Sequence, residues 1–363
     1  MDHVFFHADV DGIICAAIYM NQTQLINTDH YILHPLLSTS RGERFRKLVK
    51  SISSEGNFIY VFDYQYIDKA DLWIDHHPSD IMGRDPIINP NICFDPRSKS
   101  AVSLVCKYLE EMKGIIPTNS ENLKTLSDAA DMIDCANYPN IDFIFKDKSL
   151  PMVLRAYLES AFPSEMTFCR IVEVLAKYDL DLEKALRILN IKESCIDEIA
   201  DRAAKIKDRL EIYGLLSLVR QKYPYQYPRY SENFVSNVKY NIRISCGDKT
   251  IYYVQLAYNK WFGVSNSINI GRYIAKSKYF SKGGGHFNVG SGIMKRKDLD
   301  PFLDDFSSFI EKEAGMEKYG VDKKKDKFEK KAQDMVKTGA AKNIGDAREK
   351  VDLEKKEQTK DEK

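Results

Sequence analysis

The sequence predicts an α/β protein with a parallel sheet in its first half and a second, smaller α/β part behind it. Three observations carry this. Short apolar runs alternate with helical patterns through the first hundred residues, as they do where helices join parallel strands. The stretch from about 150 to 215 is helical throughout, with few Gly or Pro between Phe168 and Leu216. Residues 223–315 then change character, with turns at YPYQYPRY and alternating strand patterns after them.

The elements come in chain order. His3–Phe6 is a short strand, and Gly12–Met20 a helix whose apolar face holds Ile13, Ile14, Ala17 and Ile18. Phe58–Phe62 reads FIYVF, the continuous apolar run of a strand covered on both faces. Leu72–Ile74 is a third such run, bounded by charge. Ser100 is placed to cap a helix carrying Val102, Val105, Leu109 and Met112. Leu123–Met132 is helical, and Asn137-Tyr138-Pro139 is a stop signal beyond it. Asn241–Ser245 and Thr250–Ala257 alternate as strands, and Gly283-Gly284-Gly285 precedes a last helix near Asp298–Lys312.

After Gly315 the composition shifts. Aromatics nearly vanish, and residues 316–363 carry 15 basic and 12 acidic side chains. A solvated helix or a disordered tail is the expectation. The expected organisation is a first α/β domain over 1–160, a helical connector over 161–215, a smaller α/β domain over 216–315 and the tail over 316–363.

With 363 residues the chain is long enough for two or three domains. Lys plus Arg is 54 against Asp plus Glu 53, so no global basic field would hold long nucleic acid non-specifically. No apolar run approaches the roughly 18 residues needed to span a bilayer. Val4-Phe5-Phe6 before Asp9 and Asp11 lacks the form of a secretory signal. Seven scattered cysteines without a C-x-x-C pair read as reduced thiols, not as a disulfide framework or a zinc site. The expectation is a cytoplasmic protein that engages no membrane.

Three strand candidates end on groups that bind metals. The first runs into His7-Ala8-Asp9-Val10-Asp11-Gly12, the second into Asp63, the third into Asp75-His76-His77. In an open parallel sheet the carboxyl ends of strands share one edge, where ligands bind. Asp9 and Asp11 can serve two adjacent ions if Gly12 lets the backbone turn. Taken alone, a D-x-D is an ordinary solvated turn and a His-His pair ordinary packing. All three strand ends together are a metal site. Carboxylates and imidazoles without thiolate suit Mn²⁺, with Mg²⁺ as an alternative, better than structural zinc. Two such ions about 3.5–4 Å apart can activate a water and clamp phosphoryl oxygens.

These motifs resemble those of the DHH phosphoesterases. HADVDG is similar to their first motif, Asp63 in FDY to the second, and DHH at 75–77 to the third. SDAADMIDCANYP resembles the fourth, and GGGHFNVGSG at 283–292 resembles the glycine-rich loop of the associated DHHA1 domain. The resemblance spans about residues 1–295. It implies that His7, Asp9 and Asp63 hold one Mn²⁺ and that Asp11, Asp63, His76 and a fourth-motif Asp hold the other, Asp63 bridging. That fourth Asp is Asp134 or Asp131. The resemblance further implies that His77 faces the substrate phosphate while Asp75 orients the histidines. Gly283, Gly284 and Gly285 would approach an anion through backbone N–H groups, and His286 would donate to it. Asn269 and Arg272 fall where the family's substrate-binding segment lies, Arg272 as a phosphate clamp.

Arg97 and Lys99 precede the Ser100 cap as steering charges or solvated ones. Tyr252, Tyr253, Tyr258, Trp261 and Phe262 are a stacking platform for bases or part of a core. The expected activity is a Mn²⁺-dependent phosphodiesterase acting on short oligonucleotides or small nucleotide phosphoesters. An exopolyphosphatase, a nucleoside bisphosphate phosphatase and a catalytically quiet nucleotide-binding protein are the alternatives. Oligomeric state is open, a homodimer included.

Overall fold

A computed structural model describes residues 1–37, 43–77, 86–116, 120–160, 163–213, 215–221, 227–236, 238–247, 249–262, 268–285 and 287–313. His286 and the charged tail of 316–363 lie outside the described residues. Contacts divide the chain into two compact units. The first comprises Met1–Leu210 with Val219–Asn237, the second Glu211–Leu218 with the chain from Val238 on.

The first unit is built on β1 (Asp2–His7), α1 (Val10–Gln22), β2 (Tyr31–Leu36), α2 (Glu43–Ser54), β3 (Phe58–Phe62), β4 (Leu72–Asp75), β5 (Ile87–Asn89) and β6 (Ile92–Phe94). Its sheet order is β2-β1-β3-β4-β6-β5, parallel except for the β5–β6 pair. Both faces are covered, which is why β1 and β4 are apolar without alternation. On one face Phe5, Val61, Trp73 and Phe94 pack with Phe45 and Val49 of α2. β2, α2, β5 and β6 have no counterpart among the elements expected from sequence, β2 because His34-Pro35 interrupts its apolar run. Pro is tolerated in an outermost strand, the place β2 takes.

Helices α3 (Ala101–Lys113), α4 (Ser120–Asp134), α5 (Ile141–Lys146), α6 (Leu150–Ser160), α7 (Glu165–Lys177), α8 (Leu182–Ile188) and α9 (Ser194–Ala204) come next. The helices expected as a connector pack into the first unit. Phe168, Ile171, Val172 and Leu175 of α7 are buried, and α7 lies along α1. Asn21 Nδ2 in α1 donates to the Ala176 carbonyl at 2.8 Å. The expected connector boundary at 215 is likewise displaced, because the chain joins the second unit's sheet already at residue 211.

The second sheet and its helices comprise β7 (Leu210–Tyr213), β8 (Leu216–Gln221, which counts with the second unit as far as Leu218), β9 (Tyr240–Cys246), β10 (Ile251–Tyr258), α11 (Ile270–Lys276), β11 (Phe280–Gly285), β12 (Val289–Lys295) and α12 (Leu299–Glu313). Between β8 and β9 the chain forms α10 (Ser231–Val235), which belongs to the first unit. The sheet order is β11-β12-β10-β9-β8-β7. One face buries Tyr240, Ile242, Ile244, Val254 and Leu256 against Ile270 and Ile274 of α11 and Phe302 and Phe306 of α12. Tyr252 and Tyr258 pack at the border of this core, whereas Tyr253 is exposed. All seven cysteines are free thiols. No helix among the described residues is long and apolar enough to cross a membrane.

Candidate metal centre

β1, β3 and β4 are neighbours in a parallel sheet, so their carboxyl ends meet at one edge. β1 delivers His7, β3 hands the chain to Asp63, and β4 ends on Asp75 ahead of His76 and His77. Asp63 stands in the left-handed region with φ 54°, and its N–H donates to the Ile74 carbonyl at 2.8 Å. Among non-glycine residues Asp and Asn adopt that conformation most readily.

The D-x-D-G motif resolves into a helix start. Asp9 is the N-cap of α1, and its Oδ1 accepts the Gly12 N–H at 3.1 Å. Gly12, expected to make the turn, lies inside α1 instead. It is needed there because a Cβ would fall 2.3 Å from the His7 carbonyl oxygen and 2.7 Å from the His7 nitrogen. The first turn of α1 thus lies directly on the end of β1, and Asp11 is carried to the same edge.

Asp11 is set by a second helix. Its Oδ2 accepts the Ala101 N–H at 2.8 Å and its Oδ1 the Val102 N–H at 3.2 Å. It therefore takes the capping role expected of Ser100 at the start of α3. The Ser100 hydroxyl donates instead to Asp131 Oδ1 at 2.6 Å. Of the two fourth-motif candidates, Asp134 is the one brought to the cluster, with Oδ2 at 3.2 Å from His76 Nε2. Asp131, one turn earlier in α4, holds Ser100.

Seven side chains form overlapping groups able to hold metal ions. They are His7, Asp9 and Asp63; Asp63, His76 and His77; and Asp11, His76 and Asp134. The two Asp63 oxygens face different partners. Oδ2 lies 3.4 Å from His7 Nδ1, which is 2.8 Å from Asp9. Oδ1 lies 3.7 Å from His76 Nε2, which is also 3.8 Å from Asp11. Asp75 Oδ1 gathers the histidines, accepting the N–H of His76 at 2.8 Å, that of His77 at 3.1 Å and His77 Nδ1 at 2.9 Å. His76 Nδ1 lies 3.1 Å from the Ser98 carbonyl. A proton there leaves Nε2 as the ligating atom. Ser98 has no mark in the sequence, because a carbonyl contact has no residue signature.

The electrostatics are those of crowded, desolvated charge. Burial, then Asp63 and Asp134, push the Asp11 carboxyl well above the usual carboxylate range. Burial also opposes ionisation of Asp63, yet the His7 and His77 rings beside it hold its carboxyl low. Against burial, Asp9 and Asp63 push His7 up to about 10, and Asp134 with Asp63 pushes His76 up to about 9. His7 Nδ1, His76 Nε2 and both Asp63 oxygens are buried without a hydrogen bond of good geometry among the described residues. This holds although ion-pair distances run from 2.8 to 3.8 Å. Such orphaned atoms are rare inside proteins and need another partner. Four carboxylates with three neutral imidazoles carry a charge that two divalent cations would balance. The residues fit the metals.

Solved structures share this architecture. A pGpG-specific phosphodiesterase from Vibrio cholerae, PggH, superposes with TM-score 0.55 at 18% identity, covering 86% of this chain and 100% of that one. RecJ from Thermus thermophilus in complex with Mn²⁺ gives TM-score 0.53 at 11% identity, over 85% of this chain. The chain shares its fold with both of these structures. The chain covers 51% of that RecJ structure, about half its length. No family model and no curated protein sequence matches the chain.

The DHHA1-like residues lie in the second unit. Gly283, Gly284 and Gly285 form the end of edge strand β11, paired with Gly292, Ser291 and Gly290 of β12. They are strand residues where a loop was expected. A Cβ on Gly283 would lie 2.5 Å from Ile274 Cγ2, and one on Gly285, at φ +147°, 2.4 Å from the Val289 carbonyl. Asn269 caps α11, its Oδ1 accepting the Arg272 N–H at 2.9 Å. Arg272 is exposed and lines an open depression of about 460 Å³ with Tyr273, Lys276, Lys278 and Phe309. Arg97 is exposed and paired with Asp95 at 3.0 Å, and the Lys99 carbonyl accepts the Cys135 thiol.

Proposed function

We propose that this protein is a divalent-metal-dependent phosphodiesterase acting on short oligonucleotides or related small nucleotide phosphoesters, with Mn²⁺ as its working ion. The observation that carries the reading is Asp63, whose two buried oxygens face two separate sets of ligands. In this reading His7, Asp9 and Asp63 would hold one ion, and Asp63, His76, Asp11 and Asp134 the other. When bound, two such ions polarise phosphoryl oxygens and lower the pKa of water.

The protein's own part is placement. Asp75 locks the His77 ring through Nδ1, and His77, a quarter exposed, is assigned to a phosphoryl oxygen of the substrate. The backbone donors of α3 hold Asp11 at a fixed angle, so that ligand geometry need not reorganise on binding. The fold neighbour named for pGpG puts linear dinucleotides first among substrates to try.

The test is a panel with purified protein and Mn²⁺: a linear dinucleotide, a cyclic dinucleotide, a nucleoside bisphosphate and polyphosphate. Hydrolysis of the linear dinucleotide, abolished by chelator and restored by Mn²⁺, is expected. Turnover of polyphosphate alone would overturn the substrate class, and turnover of none would overturn the enzymatic reading.

A further inference from the structure

In the second unit, α11 presents two cations that the packing of the domain does not use. Ile270 and Ile274 are fully buried in the core, and Ile274 fills the space that side chains on Gly283, Gly290 and Gly292 would need. The glycines of β11 and β12 thus let the helix sit close on the sheet. Arg272 and Lys276 each follow an inward isoleucine by two positions, about 200° around a helix, so they stand on the outer face. Both are exposed. Residues four apart are neighbours on a helix surface, with Cβ atoms about 5–6 Å apart, and like charges at that spacing repel. Neither side chain makes an ion pair or a hydrogen bond among the described residues.

Both cations line the open depression of about 460 Å³ between α11 and α12, a size common among ligand sites. One acid lines it among the described residues, and that acid is occupied. Asp305 Oδ2 accepts from Lys278 Nζ at 3.1 Å and from the Tyr279 hydroxyl. Three cations, Arg272, Lys276 and Lys278, therefore face a single carboxylate, a net charge of +2. Aromatic rings fix the walls. Tyr273 stacks on Phe309 with centroids 4.9 Å apart, and Tyr279 meets Phe302 edge-on at 5.8 Å. Because these rings belong to or border one core, the depression is formed before anything binds in it.

The geometry points to this depression as a binding site for the backbone of a single-stranded oligonucleotide, with Arg272 and Lys276 on consecutive phosphates. A basic groove bordered by aromatic side chains is the surface that such strands bind without sequence preference. The inference takes its class of anion from the phosphodiesterase reading, and goes beyond it by giving strands longer than a dinucleotide a second hold. Tyr273, Lys276 and Tyr279 belong to none of the motifs, and resemblance assigns Arg272 one phosphate only.

The test uses the full chain with Mn²⁺ and a fluorescent phosphorothioate hexanucleotide that resists hydrolysis. Wild type, Lys276→Gln and the double variant Arg272→Gln/Lys276→Gln are compared by anisotropy over a salt series. In the double variant Kd should rise roughly tenfold, the worth of two exposed charge contacts. The slope of log K against log salt should become shallower by about 1.4, or 0.7 per phosphate contact. Lys276→Gln should show a smaller rise in Kd, an unmoved melting temperature and an unchanged KM for a linear dinucleotide. An unchanged hexanucleotide Kd in the double variant would overturn the proposal. So would polyglutamate that displaces the strand as readily as unlabelled hexanucleotide does, since the depression would then take any polyanion. A raised dinucleotide KM in Lys276→Gln would overturn it too, by making the depression part of the reactive site. A wild type that holds the strand through these cations yet hydrolyses no phosphoester would sink the phosphodiesterase reading alone. An active wild type with an indifferent double variant sinks the binding site alone.

Discussion

At the carboxyl edge of the first sheet, buried donors and acceptors converge without satisfying one another. Along the glycine strand of the second sheet, Gly283 and Gly285 are accounted for by packing and pairing. Asp63 illustrates the first case, held in a left-handed conformation with both oxygens buried and without a hydrogen bond of good geometry among the described residues. Gly283 illustrates the second, paired to Gly292 with Ile274 occupying the place of its side chain. The difference teaches how to separate a reactive site from a structural motif. Unspent polar capacity marks the reactive one, because folding alone gives no reason to bury it.

The largest effect should come from breaking the reactive edge at its shared ligand. Asp63→Ala is expected to lower turnover by on the order of 10³-fold and to cut bound Mn²⁺, read by steady-state kinetics and metal analysis. Retention of a tenth of wild-type turnover would remove Asp63 from the bridge.

Next comes the pair in α4, where ligation and support part company. Asp134→Ala should lose one Mn²⁺ per chain. Asp131→Ala should keep both ions and cost only about 1 kcal/mol through its bond to Ser100, read by denaturant unfolding. Loss of metal in Asp131→Ala instead would reverse the assignment.

Gly12 tests whether the first edge also depends on close approach. Its Cβ would collide with the His7 backbone, which cannot move without displacing a ligand. Gly12→Ala should cost about 3 kcal/mol and impair Mn²⁺ binding.

For the second edge, Gly283→Ala should cost about 1–3 kcal/mol through Ile274, whereas Gly284→Ala, with nothing within 4 Å of its Cβ, should stay within about 0.5 kcal/mol. If Gly284→Ala were stable yet failed to bind AMP, the strand would serve anion recognition after all, and the contrast between the edges would weaken.

A further effect, spread over a pH window, lies away from both edges. Burial, then the His3 charge, pushes His34 down to about 4. The unfolded chain binds that proton from about pH 6.5 downward, the folded chain only near pH 4. His34 therefore lets stability fall as pH drops through that window, by at most about 3 kcal/mol. His34→Gln should flatten the slope of melting temperature between pH 6.5 and 4.5. An identical slope would mean that the ring is hydrated in the native state.

Much of the first unit was legible because local rules and tertiary demands agree there. FIYVF at 58–62 is a strand at the boundaries its apolar run predicts, and H-x-D-x-D-G, Asp63 and D-H-H each sit where a strand must stop. Where an element's reason is a distant contact, the sequence misleads. Gly12 reads as a turn but is a helical residue under His7, Ser100 reads as a cap but yields that place to Asp11, and GGG reads as a loop but is strand. β2 and β12 carry Pro or Gly where an apolar pattern was sought.

By itself, then, the chain determined the type of β1, β3, β4, α1, α3 and α4, the metal-type residues and their order along three strands, because periodicity and residue chemistry are local. The choice of Asp134 over Asp131 and the opposite facing of the two Asp63 oxygens were decided by tertiary structure alone. Each depends on side chains far apart in sequence meeting at one sheet edge, and no local pattern encodes that meeting.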